Sequence, residues 1–277
     1  MPINFFKHIA VSDAAVSRIP PPDTLKGLVE GFYVYHSHLT QKKQLFFNDG
    51  YPVVALMEKD SKLEISAAGT ERWVDSIWVC SGLLKRVYCS PSTPQAGMVV
   101  IRFFPIPFYQ AFDPPCEILH EHQVFSFSEI AGPGFQEFQA CYYGAYCLER
   151  RLETVSVFLT ARTASLAGPE ILLDILDYID KRQVNSISEL AGSYGARLNY
   201  KWLERNFKKY LRLSPKNYLS IKRFLNAYIE LDNSRTSDLL EIALNNGYYD
   251  DNHFIKDFRK FSGISPKSFF RAALDTD

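Results

Sequence analysis

The 277-residue chain has no net charge, because 31 Lys and Arg are matched by 31 Asp and Glu. That balance excludes a uniformly basic nucleic-acid coat, although a local basic patch remains open. No stretch approaches about 18 consecutive apolar residues, so no membrane-spanning helix is expected. The first residues, MPINFFKHIAVSDAAVSRIPPP, lack the charged head, apolar run and small-residue cleavage site of a secretory signal. Cysteine is scarce and odd in number: Cys80, Cys89, Cys116, Cys141 and Cys147 show no close pairing and no C-x-x-C spacing. A disulfide scaffold and a zinc cluster are therefore disfavoured, and reduced thiols in a cytoplasm are expected. Global disorder is excluded as well, since 47% apolar and 22% charged residues allow a packed core.

What is present divides the chain in two. Residues 1–120 hold β-branched and aromatic runs that read as short strands: YPVVALMEK (51–59), KLEISAAG (62–69), WVDSIWVCSG (73–82), KRVYCS (85–90) and GMVVIRFFPIPF (97–108). Turn clusters such as Asn48-Asp49-Gly50 separate them, and such spacing predicts an antiparallel barrel or sandwich. Over 135–164 the period changes: Phe138, Tyr142, Ala145, Leu148, Leu152, Val155 and Leu159 recur at three or four, as on amphipathic helices. Residues 163–169 read as a linker. From 169 onward seven helices are expected, with Ser186, Asn199 and Ser214 as N-caps and Pro215 and Pro266 at first helical positions. The fold class is thus α+β: an N-terminal antiparallel β-barrel with flanking helices (1–165), then an all-α domain (166–277).

A repeat dominates the second half. Segment 203–219, LERNFKKYLRLSPKNYL, aligns without a gap on 254–270, FIKDFRKFSGISPKSFF. Each is preceded by a short apolar helix, Ile187–Ala191 in one copy and Leu240–Ala243 in the other. Short helix, turn and basic second helix is the helix-turn-helix arrangement, placed at 187–211 and 237–262 around a connector at 215–233. A connector of about 18 residues would set the units roughly 27 Å apart, close to the ~34 Å between successive major grooves on one face of B-DNA. Over 197–223, nine basic residues (Arg197, Lys201, Arg205, Lys208, Lys209, Arg212, Lys216, Lys222 and Arg223) face Glu204 alone, a local balance of +8. Over 256–271, five (Lys256, Arg259, Lys260, Lys267 and Arg271) face Asp257, a balance of +4. A basic face on one isolated helix is ordinarily just solvated; its duplication in one frame points to duplex DNA.

Residues 169–272 resemble the DNA-binding domain of the AraC/XylS-type transcription regulators, most closely in the string from Ile242 to Pro266. The first unit departs from that pattern, with Gly195-Ala-Arg-Leu-Asn199 two residues longer than the usual turn. The resemblance implies that both second helices enter adjacent major grooves. It places Lys201, Glu204, Arg205, Asp251, Asn252, Ile255 and Lys256 toward bases. The chemistry is suitable: arginine pairs with guanine, asparagine with adenine, a carboxylate accepts from cytosine, and isoleucine touches a thymine methyl. Lys208, Lys209, Arg259 and Lys260 lie one turn later and are expected on phosphates. Trp202, Leu203, Phe207, Phe254, Phe258 and Phe261 read as core, Gly247 as a helix cap.

The strand-rich half resembles the cupin-like sensory half of some of these regulators, on phrases such as PPDTLKGLVEGFYVY and MVVIRFF. That implies a barrel able to hold a small-molecule effector, a promoter as target, RNA polymerase as a contact and a homodimer through 135–164. Those helices could equally pack only against the barrel. No catalysis, cofactor, metal or membrane partner is expected. The alternative is a metal-dependent cupin enzyme using His36 and His38, or His120 and His122; no Glu follows His38 before Glu58, as that motif requires. A third reading is a regulator reduced to a protein–protein module.

Overall fold

The computed structural model describes residues 16–268 apart from 37–42, 47, 68, 83, 96, 116–122, 163–168, 183, 185, 196–197 and 235–237. The chain is α+β, with a β-rich N-terminal half and a helical C-terminal half. The expected barrel is not closed. Strands β1 (Val16–Ile19), β2 (Val29–Tyr35), β4 (Val53–Leu56), β7 (Ile77–Cys80), β9 (Met98–Phe103) and β10 (Val124–Ser126) form one sheet, ordered β1-β2-β9-β4-β7-β10. Strands β3 (Gln44–Phe46), β5 (Leu63–Ala67), β6 (Thr70–Val74) and β8 (Val87–Pro91) form the other, ordered β3-β8-β5-β6. All their pairings are antiparallel.

The larger sheet is buried on both faces, and period-two alternation divides its side chains between two cores. Val53, Ala55, Trp78, Cys80, Met98 and Val100 point toward the smaller sheet, where Phe46, Leu63, Ile65 and Val87 meet them. Val54, Leu56, Ile77, Val79, Val99, Ile101 and Phe103 point the other way. That outer face is covered by helices α1 (Pro105–Phe112), α2 (Phe135–Gly144) and α3 (Leu148–Thr160) through Phe108, Phe112, Phe138, Tyr142, Val155 and Phe158. Helix α1 corrects the expectation of a strand to 108. Pro105 takes its first helical position, where a missing N–H costs nothing and φ is already suitable. The 135–164 segment splits at 145–147, and its apolar face covers the sheet.

The C-terminal half runs α4 (Glu170–Arg182), α5 (Ile187–Tyr194), α6 (Tyr200–Leu211), α7 (Pro215–Ser234), α8 (Leu239–Asn245) and α9 (Asp251–Ser262). Of the seven expected helices these are six; residues 266–268 are helical at the start of the last, and 269–277 lie outside the described residues. Leu172, Ile175, Leu190, Leu203, Phe207, Ile221, Phe224, Ile242, Phe254 and Phe258 make one core, which also takes Ile106 from α1.

The two halves meet in a buried seam. Arg102, on β9, is enclosed against Glu30 (3.1 Å) and Asp49, with Tyr51 stacked 3.7 Å beneath its guanidinium. Tyr51 donates its hydroxyl to Asp180 of α4 (3.0 Å), and Lys222 of α7 pairs with the same carboxylate (2.9 Å). Burial pushes the Asp49 carboxyl up, but Arg102 and then Lys222 outweigh it and hold it below the usual range. Burial likewise opposes the charge on Lys222, yet Asp180 and Asp49 keep its pKa raised. Gly50 is required here: its φ is +88°, and a Cβ would lie 3.0 Å from the Tyr218 ring.

Candidate nucleic-acid interface

The two short-helix, turn, long-helix units are built alike. Asn199 accepts from the backbone N–H groups of Lys201 and Trp202, and Asp250 accepts from that of His253, so each long helix has a side-chain N-cap. These caps lie 51 residues apart, as do the helix ends Tyr194 and Asn245, and Leu211 and Ser262. Both turns therefore span five residues, 195–199 and 246–250. The first turn, expected to be two residues longer than usual, is as long as the second, and α5 has eight residues against seven for α8.

On α6, Leu203, Phe207 and Leu211 are buried, while Lys201, Arg205, Lys208 and Lys209 are exposed along the opposite side. Glu204 is half-buried and paired with Lys208 one turn on (2.8 Å). On α9, Phe254, Asp257, Phe258 and Phe261 are buried, and Asn252, Lys256 and Arg259 are exposed. Asp251, Ile255 and Lys260 occupy the margins of that face. The eleven residues singled out in the sequence thus lie on the outward sides and margins of two helices, with Glu204, Lys208 and Lys260 already engaged by protein partners. Lys260 lies 3.7 Å from Asp257 and 3.3 Å from the Ser220 hydroxyl.

The charge count overstated the patch. Lys222 lies in the seam, Arg212 pairs with Asp113 beyond α1 (3.2 Å), and Arg223 pairs with buried Asp257 (3.3 Å). The sequence did carry the signal for Lys222. It falls four residues after Tyr218 and three before Leu225, on the buried stripe of α7.

The β-rich half holds the far end of α9, and meets that of α6 through the Arg212–Asp113 pair. Arg86 donates its backbone N–H to the Phe261 carbonyl (2.7 Å) and its Nε to that of Arg259 (3.2 Å), and Tyr88 donates its hydroxyl to that of Ser262 (2.9 Å). The Phe261 and Ser262 carbonyls belong to the open last turn of α9, whereas that of Arg259 also receives the Gly263 N–H (3.0 Å); a cation at this end also suits the helix dipole. Neither Arg86 nor Tyr88 was identified from sequence, because the contact joins residues over 170 positions apart.

Of the histidines weighed for a metal, His36 lies 3.0 Å from the Ser17 hydroxyl; His38, His120 and His122 lie outside the described residues. Among the described residues no three His, Cys, Asp or Glu side chains gather to hold a metal. No helix among them is long and apolar enough to cross a membrane.

Residues 195–272 match a family described as a helix-turn-helix domain. The chain is 31% identical over 103 residues to the uncharacterized HTH-type transcriptional regulator YdiP of Escherichia coli strain K12, covering 36% of this chain and a third (33%) of that protein. Among solved structures it is similar to ToxT of Vibrio cholerae, with a TM-score of 0.45 at 12% identity over 86% of this chain and 97% of that one. A second ToxT structure, from strain O395 and bound to (E)-4-(8-methylnaphthalen-1-yl)but-3-enoic acid, gives 0.44 at 10% identity over 86% and 97%.

Proposed function

We infer, from a C-terminal domain of the AraC/XylS helix-turn-helix type, that the chain is a cytoplasmic transcription regulator binding promoter DNA as a sequence-specific duplex reader. Helices α6 and α9 lie in adjacent major grooves, with Lys201, Arg205, Asn252 and Lys256 toward base edges and Lys209 and Arg259 toward phosphates. Glu204 meets bases only if it leaves Lys208, and Asp251 and Ile255 contribute from the margin of their face. The observation that carries this reading is the repetition of one capped, basic, outward-facing helix at an offset of 51 residues on a shared core. A solvated helix has no reason to be duplicated with its cap, turn length and exposed charges together.

The β-rich half supplies regulation rather than chemistry. It touches α4, α7 and the ends of α6 and α9, so an effector or partner that shifts it acts on both reading helices. The space between its sheets is occupied by large side chains, with Phe46 and Trp78 edge to face at 5.6 Å. Helices α2 and α3 remain the candidate surface for a second copy, and RNA polymerase a candidate contact.

Selection of bound sequences from a random duplex pool tests the reading. Recovery of a bipartite motif with half-sites about one helical turn apart is expected, with affinity falling steeply as salt rises. Binding no tighter than to random duplex at moderate salt would overturn it.

A further inference from the structure

Between the two helix-turn-helix units lies a cleft of about 330 Å³, into which Ser186, Lys216, Ser220, Arg223, His253 and Lys260 project around the Asp257 carboxylate. Asp257 is buried and receives Arg223 (3.3 Å), the Ser220 hydroxyl (3.3 Å) and, more distantly, Lys260 (3.7 Å). Arg223 is backed by the Tyr248 ring, 4.5 Å from its guanidinium carbon. Among the side chains lining the cleft, three permanent cations (Lys216, Arg223 and Lys260) meet one carboxylate, Asp257, an excess of two positive charges in a concave site. Such a concavity attracts an anion more strongly than the same charges on an open surface.

Its position identifies the anion. At about 100° per residue around α9, Lys260 and His253 fall beside Lys256, on the edge of the exposed face that carries Asn252. The opposite wall is Ser186, the N-cap of α5 in the first unit. The cleft therefore adjoins the reading face of α9 and separates it from the first unit. Two helices in adjacent major grooves straddle the phosphates bordering the intervening minor groove, and a basic cleft between the two units is the feature available to meet them.

We propose that this cleft seats one DNA phosphodiester between the two groove contacts, held by Lys216 and Lys260 with Arg223 fixed behind them. The proposal rests on the DNA-reading function above. It adds Lys216, Ser220 and Arg223, none of which was assigned to DNA contact, and gives Lys260 a defined seat shared with the first unit.

The test uses the full chain, the selected duplex, and the same duplex carrying a single neutral methylphosphonate at each backbone position between the half-sites. For the unaltered protein, one position is expected to weaken binding several-fold. Lys216→Met and Lys260→Met should each reduce the slope of log K against log salt by about 0.9, leave the base preference unchanged, and abolish the penalty at that one methylphosphonate. Lys216 is exposed, so its replacement leaves folding intact, and a matching thermal midpoint verifies this. Unchanged slopes in both variants, or a methylphosphonate penalty that persists in them, would overturn the seat while leaving the DNA-reading function standing. Absence of any selected motif would instead overturn that function. Inorganic phosphate and pyrophosphate are titrated separately without DNA: saturable binding lost in Lys216→Met, with an unchanged duplex salt slope, would make this a free-anion site and overturn the proposal.

Discussion

Arg205 and Lys209 stand about one turn apart on α6, and their substitutions are expected to fail differently. Arg205→Ala should cost about 1–3 kcal/mol at the selected motif and relax preference at one base pair, whereas Lys209→Ala should weaken all duplexes alike and lower the salt slope by about one. Competition binding on single-position motif variants separates the two. Asp49 and Glu30 give a second residue-scale expectation. Burial opposes their charge, but Arg102 outweighs it and leaves both pKa values below the unfolded values near 4. Their stabilisation is therefore complete above about pH 4 and is lost as pH falls through the depressed folded-state values. Urea unfolding of Asp49→Asn should show less loss of stability on acidification than the native chain. At this scale the sequence was legible where a residue's type and period agreed, as for Lys201 or Phe207. It misled where a charge fell on an apolar stripe, because Lys222 and Asp257 took their roles from partners on other elements.

Asn199 and Asp250 each satisfy the first-turn amides of a reading helix, so Asn199→Ala or Asp250→Ala should each lower stability by about 1 kcal/mol. Paired urea melts check this, Asn199 capping two amides and Asp250 one. Helical boundaries could be read well because caps and prolines are local: Ser186, Asn199, Ser214 and Asp250 all stand where a helix begins. Strand boundaries were harder. FFPIPF continues the aromatic and β-branched run of β9, yet Pro105 and Pro107 cannot sit in a central strand and instead open α1. The barrel expectation failed for a related reason. A sheet buried on both faces shows continuous apolar runs such as VVAL and IWVC, which carry no record of which face meets which layer.

The seam decides how the molecule behaves as a unit. Removing one partner of a largely buried ion pair leaves the other uncompensated, so Asp180→Asn or Lys222→Met should each cost about 3 kcal/mol, with the double substitution costing less than their sum. A double-mutant cycle from urea midpoints measures that coupling. The Tyr51–Asp180 contact was not legible in the sequence, since the two are 129 positions apart and no local pattern joins them. The capture of the α9 terminus by Arg86 and Tyr88, together with that of the α6 terminus through Arg212 and Asp113, has a geometric corollary. On the proposed function, the β-rich half is joined to the ends of both long helices, and a slide of that half would alter their rotational phase along the duplex. Regulatory input would then appear as a changed tolerance for inserted or deleted base pairs between half-sites, detectable even when affinity for the optimal spacing stays constant.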